Sequence, residues 1–516
     1  MKYRSVFCVI TIAFISKFII SGFIEFNNDE VYYWTYAQKL QWSYFDHPPA
    51  IALVLKLFTI DLLFDNEIML RLGPIVCGTI STWLIFLLGK KTGNQHTGIF
   101  AALLFMASPY CFLIAGLLVI PDAPQLVFWL WSVLLMVEIS EDKKNLGTIN
   151  TKLLLLGVAI GLCILSKIHG VFLWLGFMVF TVIHQRTLLK NRYLYYSMFI
   201  TFCLMLPILL WNMSNDFITY RYQGSRVALG AIKWDGFFRE LFGEIVYNNP
   251  VNFFLILATF WAMIKRKQFI ATDSGRLFLS LSIPLILCVL FVALFRDTLP
   301  HWTGPAYTSL LPMAAGYIYT MQKDGSKKHI PPVIKWALGV TVTLMILAIC
   351  IVIWLPLNIG SKDIQELGKH DVTLDMNGWK QFGSQFDSLY RHDLTKGIMH
   401  KSTFIISDYW FPAAHIDYYV ARRFGIRFLA IGDLTAIHHY AWLNKIRPFL
   451  KKGDDAYFIT VSNFYNPPKQ NLSHQFETVS DMAKITQYRL GVPVRNFFIY
   501  RFKNYQGNIP TSGILD

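Results

Sequence analysis

VFCVITIAFISKFIISGFIEFNNDEVYYWTYAQKLQWSYFDHPP, residues 6–49, sends an apolar stretch straight into four ionisable side chains, Asp29, Glu30, Asp46 and His47. Residues 6–26 come close to the roughly 20 apolar residues that cross a bilayer. Seven aromatic rings then crowd residues 29–49, and Pro48–Pro49 closes the segment. Carboxylates immediately beyond a span are costly unless they line a polar cavity or meet a substrate. The alternative is a solvated loop capped by an aromatic belt.

The rest of the chain repeats the apolar theme. Of 516 residues, 54% are hydrophobic and only 15% charged, with a mean hydropathy of +0.42. That composition excludes an ordinary water-soluble globular protein and indicates a polytopic membrane protein. The predicted spans cover about 6–26, 70–89, 97–118, 124–140, 153–166, 170–184, 193–212, 251–264, 276–295, 303–320 and 333–357. The expected fold is therefore a polytopic α-helical membrane domain of about 11–13 transmembrane helices over 1–357. An α/β domain is expected over 358–516.

Charge sets the expected orientation. Lys2 and Arg4, Lys90–Lys91, Lys143–Lys144 with Lys152, Arg186 to Arg192, Lys265–Arg266–Lys267, and Lys323 with Lys327–Lys328 fall in alternate loops. The positive-inside rule places them in the cytoplasm. Both flanks of 153–184 are basic, so that stretch must be a hairpin with SKIHG, residues 166–170, at its outer tip. The loop 27–69, the turn at Pro121–Asp122, the loop 213–250, the Arg296–His301 region and everything after 357 are then outside. No small-x-small cleavage site follows the first apolar stretch, which reads as a retained span rather than a signal peptide. The net charge of +15 belongs mostly to the inner loops. Arg221, Arg226, Lys233 and Arg239 lie in an outer loop where the inside rule does not require them, and are candidates for phosphate contacts, with headgroup anchoring as the alternative.

Beyond residue 361 polar residues become frequent, and TFIIS (403–407), IRFLAIG (426–432), AYFITV (456–461) and NFFIYRF (496–502) read as strands. Helices are expected near 376–391 and 411–423. The seven cysteines fall in or beside predicted spans, which gives no disulfide framework outside. No spacing reads as a metal cage, so no cofactor is expected, although divalent-metal use stays open. His438–His439 and His415/Asp417 read as surface or strand residues rather than ligands.

Chemistry concentrates in the outer loops. Tyr33, Tyr36, Ala37 and Leu40 form an apolar stripe suited to a helix lying in the membrane interface after Asp29–Glu30, and 51–64 reads as a second in-plane helix. Asp122 sits in PDAP, where helix capping is its alternative role. Lys167 sits at the hairpin tip, where snorkelling is the alternative. His301 and Trp302 open a span next to Pro305.

Taken together, DE…FDHPP, PDAP, LSK (165–167), LLWN followed by TYRYQ (209–223), and HWTGPAYTSLLP (301–312) resemble the bacterial branch of the dolichyl-phosphate-mannose-protein mannosyltransferase family. These are type-C glycosyltransferases, related to the aminoarabinose transferase of lipid A. The resemblance implies an inverting enzyme of the bacterial inner membrane whose active site and C-terminal domain face the periplasm. It would move a sugar from an undecaprenyl-phosphate-linked donor to a lipid or glycan acceptor, with lipid A the first expectation. It makes Asp29 the catalytic residue, with Glu30 beside it. The outer-loop residues Asp46, His47, Asp122, Lys167, Arg221, Arg226 and His301 are the candidates for donor phosphate or substrate, Lys167 foremost, since a cation in a dry cavity best stabilises the leaving phosphate. In aminoarabinose transferases the segment corresponding to FDHPP reads like FEKP, its lysine contacting donor phosphate; here His47 stands in that place. A protein O-glycosyltransferase is the alternative within the enzyme class. A lipid or sugar transporter is the alternative outside it, although such proteins usually carry mid-membrane charges on interrupted helices and repeated halves. Nothing in the chain suggests nucleic acid as a partner.

Overall fold

A computed structural model describes residues 4–141, 145–228, 230–322, 329–480 and 482–515. Lys2, Lys143–Lys144, Lys323 and Lys327–Lys328, used above for orientation, lie outside the described residues. The helices run in the order α1 (Arg4–Ser21), α2 (Asn28–Gln38), α3 (Ala50–Phe58), α4 (Glu67–Thr92), α5 (Gln95–Met106), α6 (Asp122–Glu141), α7 (Leu146–Ser166), α8 (Val171–His184), α9 (Arg192–Met213), α10 (Ile218–Val227), α11 (Trp234–Tyr247), α12 (Pro250–Ile264), α13 (Thr272–Ala293), α14 (Gly304–Met321) and α15 (Pro332–Trp354). Each of the expected spans except 97–118 corresponds to one of these helices. Among the described residues, seven are long and apolar enough to cross a membrane on their own; α11 with α12, bent by 99°, could make an eighth, while α5 and α8 are shorter apolar helices. The protein is a multi-pass membrane protein.

The chain divides into two compact units, Met1–Ser21 with Gln41–Leu344, and Gly22–Leu40 with Met345–Asp516. This division differs from the expected boundary at 357, because the first outer helix groups with the C-terminal region.

In the first unit the helices close on one another through small residues. A Cβ at Gly157 would collide with the backbone of Ser197, so α7 and α9 meet where Gly157 lets the main chains approach. Arg71 of α4 is buried and donates from Nη1 to Ser21 O at 2.9 Å. It thereby satisfies a carbonyl at the end of α1.

The expected continuous span 97–118 is instead broken. Helix α5 stops at Met106, and a π-turn over Tyr110–Ile114 follows Pro109. A break at membrane depth leaves carbonyls that water cannot satisfy. Asn252 Nδ2 donates to Leu104 O at 2.9 Å, and Asn249 Nδ2 donates to Ala107 O at 2.9 Å. Asn249 also donates to Ala337 O at 2.8 Å and sits at the α11–α12 bend with φ of 69°. The two asparagines thus hold a bend and a break together. The expected in-plane helix 51–64 is shorter than predicted, ending at Phe58, because Ile60, Asp61 and Leu62 all take positive φ.

In the second unit a six-stranded sheet comprises β1 (Phe404–Ser407), β2 (Arg427–Ala430), β3 (Ala456–Val461), β4 (Phe476–Val479), β5 (Ala483–Arg489) and β6 (Val492–Tyr505). Its order is β2-β1-β3-β6-β4, with β5 also on β6. The β1 pairings are parallel and the β6 pairings antiparallel. The α/β class expected for the tail is what forms; β4 and β5 were not anticipated. Helices α16 (Trp379–Thr395) and α17 (Trp410–Ile416) flank the sheet.

The stripe on α2 does not behave as a lipid-facing surface. Of its residues Tyr33 and Ala37 are buried, Tyr36 packs on His439 with ring centroids 4.9 Å apart, and Leu40, past the end of the helix, is exposed; beside them Tyr32 packs on Trp410 at 5.2 Å and Trp34 on Tyr418 at 5.1 Å. These rings are protein core, and the expected interfacial helix is corrected accordingly. The reading of His415, Asp417, His438 and His439 as surface or strand residues is corrected too. All four are buried and none lies on a strand. The His415 ring stacks on Trp379 at 4.0 Å. Asp417 accepts from Arg447 Nη2 at 2.7 Å and from the Tyr440 hydroxyl at 3.0 Å.

Candidate active site

Within the membrane unit the centre of the site is an ion pair. Helix α7 ends at Ser166, and Lys167 turns into an extended conformation (φ −157°, ψ 136°) before a 3-10 turn over Ile168–Gly170 leads into α8. That turn is the expected hairpin tip. It carries Lys167 inward, with Nζ 2.8 Å from Asp122 Oδ2, and both side chains are buried. Asp122 opens α6. Its other oxygen accepts from the Tyr110 hydroxyl at 3.3 Å, so the π-turn after the α5 break supplies a third member. Gly304 keeps room for the Tyr110 ring, against which a Cβ would clash.

Three imidazoles and a guanidinium surround this pair. His47 feels the charges of Lys167, Asp122, Arg226 and His169, and His301 feels those of Lys167, Asp122 and Arg226. Burial first, and the Lys167 charge second, hold His47 down at about 3. Burial and then Lys167 hold His301 down at about 4. Both rings are therefore neutral near pH 7, each keeping one N–H to donate. Arg226 lies over Trp302 at 5.5 Å and over Tyr222 at 5.8 Å, and Trp302 in turn packs on His169 at 5.7 Å.

The FDHPP turn is held from α10. Thr219 Oγ1 donates to Tyr44 O at 2.9 Å, and Gln223 Nε2 donates to Asp46 O at 2.8 Å. Phe45 packs on Tyr222 at 4.7 Å, while Tyr44 N donates to His47 O at 3.1 Å. The TYRYQ stretch therefore helps position His47, and Asn212 of LLWN braces it by accepting from Thr219 N at 3.2 Å.

The candidates separate as follows. His47, Asp122, Lys167, Arg226 and His301 come together. Asp46 is half-buried beside His47. Arg221 is exposed on α10, and five residues of helix turn it about 140° away from Arg226. Asp29 and Glu30 belong to the second unit. Asn27 Oδ1 accepts from Glu30 N at 2.8 Å, and Glu30 Oε2 accepts from Asn27 N at 3.1 Å, a reciprocal cap of α2. Glu30 is buried in that role, while Asp29 next to it is exposed. Tyr110 and His169 were missing from the candidates; only the position of His169, two residues after Lys167, signalled it. Among the described residues no group of three His, Cys, Asp or Glu side chains is placed to hold a metal ion.

The chain is similar to known proteins. Residues 46–211 match the family described as dolichyl-phosphate-mannose-protein mannosyltransferase. The lipid A galacturonosyltransferase RgtD of Rhizobium johnstonii is 23% identical over 308 residues, 58% of this chain and 62% of that protein. The match thus spans under two thirds of that relative. The crystal structure of ArnT from Cupriavidus metallidurans bound to undecaprenyl phosphate superposes with a TM-score of 0.63 at 13% identity, covering 96% of this chain and 98% of that one. The same protein in the apo state gives 0.61 at 12% identity, covering 96% and 97%. At such identity the structural likeness establishes the fold.

Proposed function

We propose, for a chain that belongs to the dolichyl-phosphate-mannose-protein mannosyltransferase-like family and has the type-C glycosyltransferase fold, that it is a polyprenyl-phosphate-sugar-dependent glycosyltransferase. The observation that carries this reading is the buried Lys167–Asp122 pair ringed by His47, His169, His301 and Arg226. Asp122 balances one cation, Arg226 adds another, and the imidazoles offer neutral donors. Such a cluster suits a phosphate better than a neutral sugar. ArnT was solved with undecaprenyl phosphate, which supports the same class of carrier here.

In this reading the donor phosphate sits on Lys167, Arg226, His47 and His301. An acceptor hydroxyl loses its proton to the Asp29 carboxylate. The acceptor oxygen bonds to the sugar's anomeric carbon, the bond from that carbon to the phosphate oxygen breaks, and undecaprenyl phosphate leaves with the electron pair. The anomeric configuration inverts in one displacement. An acceptor phosphate would need no base, and Asp29 would then orient it. Positive charge for the leaving group comes from side chains, so turnover is expected to survive chelation with EDTA.

We assign the acceptor to lipid A or another envelope glycan, in keeping with the lipid A substrate named for the Rhizobium relative. The site then faces the periplasm across the bacterial inner membrane. Mass spectrometry of lipid A and of undecaprenyl-phosphate sugars, from cells with and without the gene, tests this. Loss of one sugar from lipid A with accumulation of its lipid-linked donor supports it; unchanged lipid A with a lost protein glycan would move the assignment to protein O-glycosylation. For orientation, a cysteine at exposed Lys396 should be labelled from outside and one at exposed Lys267 only after permeabilisation.

A further inference from the structure

The second unit surrounds the start of α2 with a polar lattice drawn from distant parts of the chain. Asn28 Oδ1 accepts from His415 Nε2 at 2.9 Å, while the Asn28 side chain also hydrogen-bonds the carboxyl of Asp375. The His415 ring lies flat on Trp379, with centroids 4.0 Å apart. Trp379 donates from Nε1 to Asp375 O at 3.1 Å, and its backbone N–H donates to Glu25 Oε2 at 2.7 Å. Behind Trp379, Arg495 is fully buried with its guanidinium 4.2 Å from the indole, donating to Leu374 O at 3.1 Å and to Asn377 O at 2.8 Å. Arg489 of β5 holds Thr373 Oγ1 at 2.9 Å. Thr373, Leu374 and Asp375 of the short turn Val372–Met376 are thus each held by a hydrogen bond, and that turn presents Asp375 to the residue preceding Asp29.

We propose that Asp375 is a positioning residue for Asp29, fixing the first turn of α2 through Asn28. The inference rests on reading Asp29 as the acceptor base. The ionised Asp375 carboxylate accepts from the Asn28 amide, and protonating it weakens that hold. Asp375 is pushed up to about 6, chiefly by burial, with Arg495 opposing and Asp29 and Asp371 adding. The charged and titratable groups facing it are therefore Asp29 on α2, Asp371 on its own turn and Arg495 on β6. Arg489, Glu25 and His415 lie one contact further out. No other carboxylate among these reaches Asp29 through Asn28.

Within the second unit, the C-terminal residues thus hold the start of the helix that carries Asp29. The test uses full-length protein in proteoliposomes, with undecaprenyl-phosphate-linked galacturonic acid as donor and purified lipid A as acceptor. Release of undecaprenyl phosphate is followed from pH 4.5 to 8.5. In Asp375→Asn the plateau kcat should fall about tenfold with donor KM within about twofold. The acid limb of the profile should move lower as the titration of Asp375 near 6 drops out of it, and Asp375→Glu should restore much of both. Should Asp375→Asn not fold, Asn28→Ser, which loses the bridging amide, should move the acid limb in the same direction. Active parent protein with an unmoved acid limb in the folded variant, whatever its rate, overturns the positioning role and leaves the transfer reading standing. Parent protein that releases no undecaprenyl phosphate, with lipid A unchanged in cells lacking the gene, overturns both.

Discussion

Lys167 Nζ and Asp122 Oδ2 lie 2.8 Å apart with both side chains withdrawn from solvent, which rules out snorkelling for the lysine and helix capping as the sole purpose of the aspartate. A buried pair broken from one side leaves a charge without compensation. Lys167→Met should therefore destabilise the protein by about 3–5 kcal/mol, and adding Asp122→Asn should recover most of that loss. Both variants should lose donor turnover. Unfolding in detergent, followed alongside donor binding, checks the two effects separately, and a Lys167→Met protein as stable as its parent would contradict the pairing.

Asp29→Asn should abolish transfer while leaving membrane insertion, melting and undecaprenyl phosphate binding unchanged. Its carboxylate is exposed, and the cap of α2 is made by Glu30 and Asn27 rather than by Asp29. Glu30→Gln, by contrast, keeps an acceptor for Asn27 N and should cost stability more than rate. A fully active Asp29→Asn protein would remove this residue from the mechanism.

The two arginines of α10 should part company. Arg226→Ala removes a cation that His47 and His301 both feel and should weaken binding of undecaprenyl phosphate about tenfold, the value of one charge-assisted contact. Arg221, exposed on another side of the same helix, should be replaceable by Ala with affinity unchanged. Titration of each purified variant with the lipid phosphate, at low and moderate salt, distinguishes a site contact from a headgroup anchor.

The legible and illegible parts of this molecule differ for physical reasons. Spans announce themselves by length and apolarity, and basic flanks on both sides demanded the hairpin that aims Lys167. The α5 break at Ala107 left no comparable mark, because the asparagines that satisfy its carbonyls, Asn249 and Asn252, come from far along the chain. The stripe on α2 was misread because Tyr33, Tyr36 and Ala37 would suit a lipid interface or a protein core equally, and only their burial and the packing of Tyr36 on the His439 ring decide between them. Asp375 was invisible for a similar reason: nothing around it in sequence marks it, and its meaning comes from Asn28.

The histidines make the site respond to pH in a direction that can be worked out. His47 and His301 have folded-state values near 3 and 4, below the ordinary 6.5. Above pH 6.5 both states leave them neutral and they contribute no pH dependence. Below it the unfolded chain takes up protons that the folded site refuses, so stability falls as pH drops from about 6.5 towards 4 and levels off only near 3. His47→Gln and His301→Gln should each flatten the melting temperature against pH in that window. Undecaprenyl phosphate reverses the field, since its negative charge beside the imidazoles raises their proton affinity. Binding at pH 6 should therefore take up protons, seen by calorimetry in buffers of different ionisation enthalpy, and the uptake should shrink in His47→Gln. Proton uptake identical in parent and His47→Gln proteins would place the phosphate away from His47.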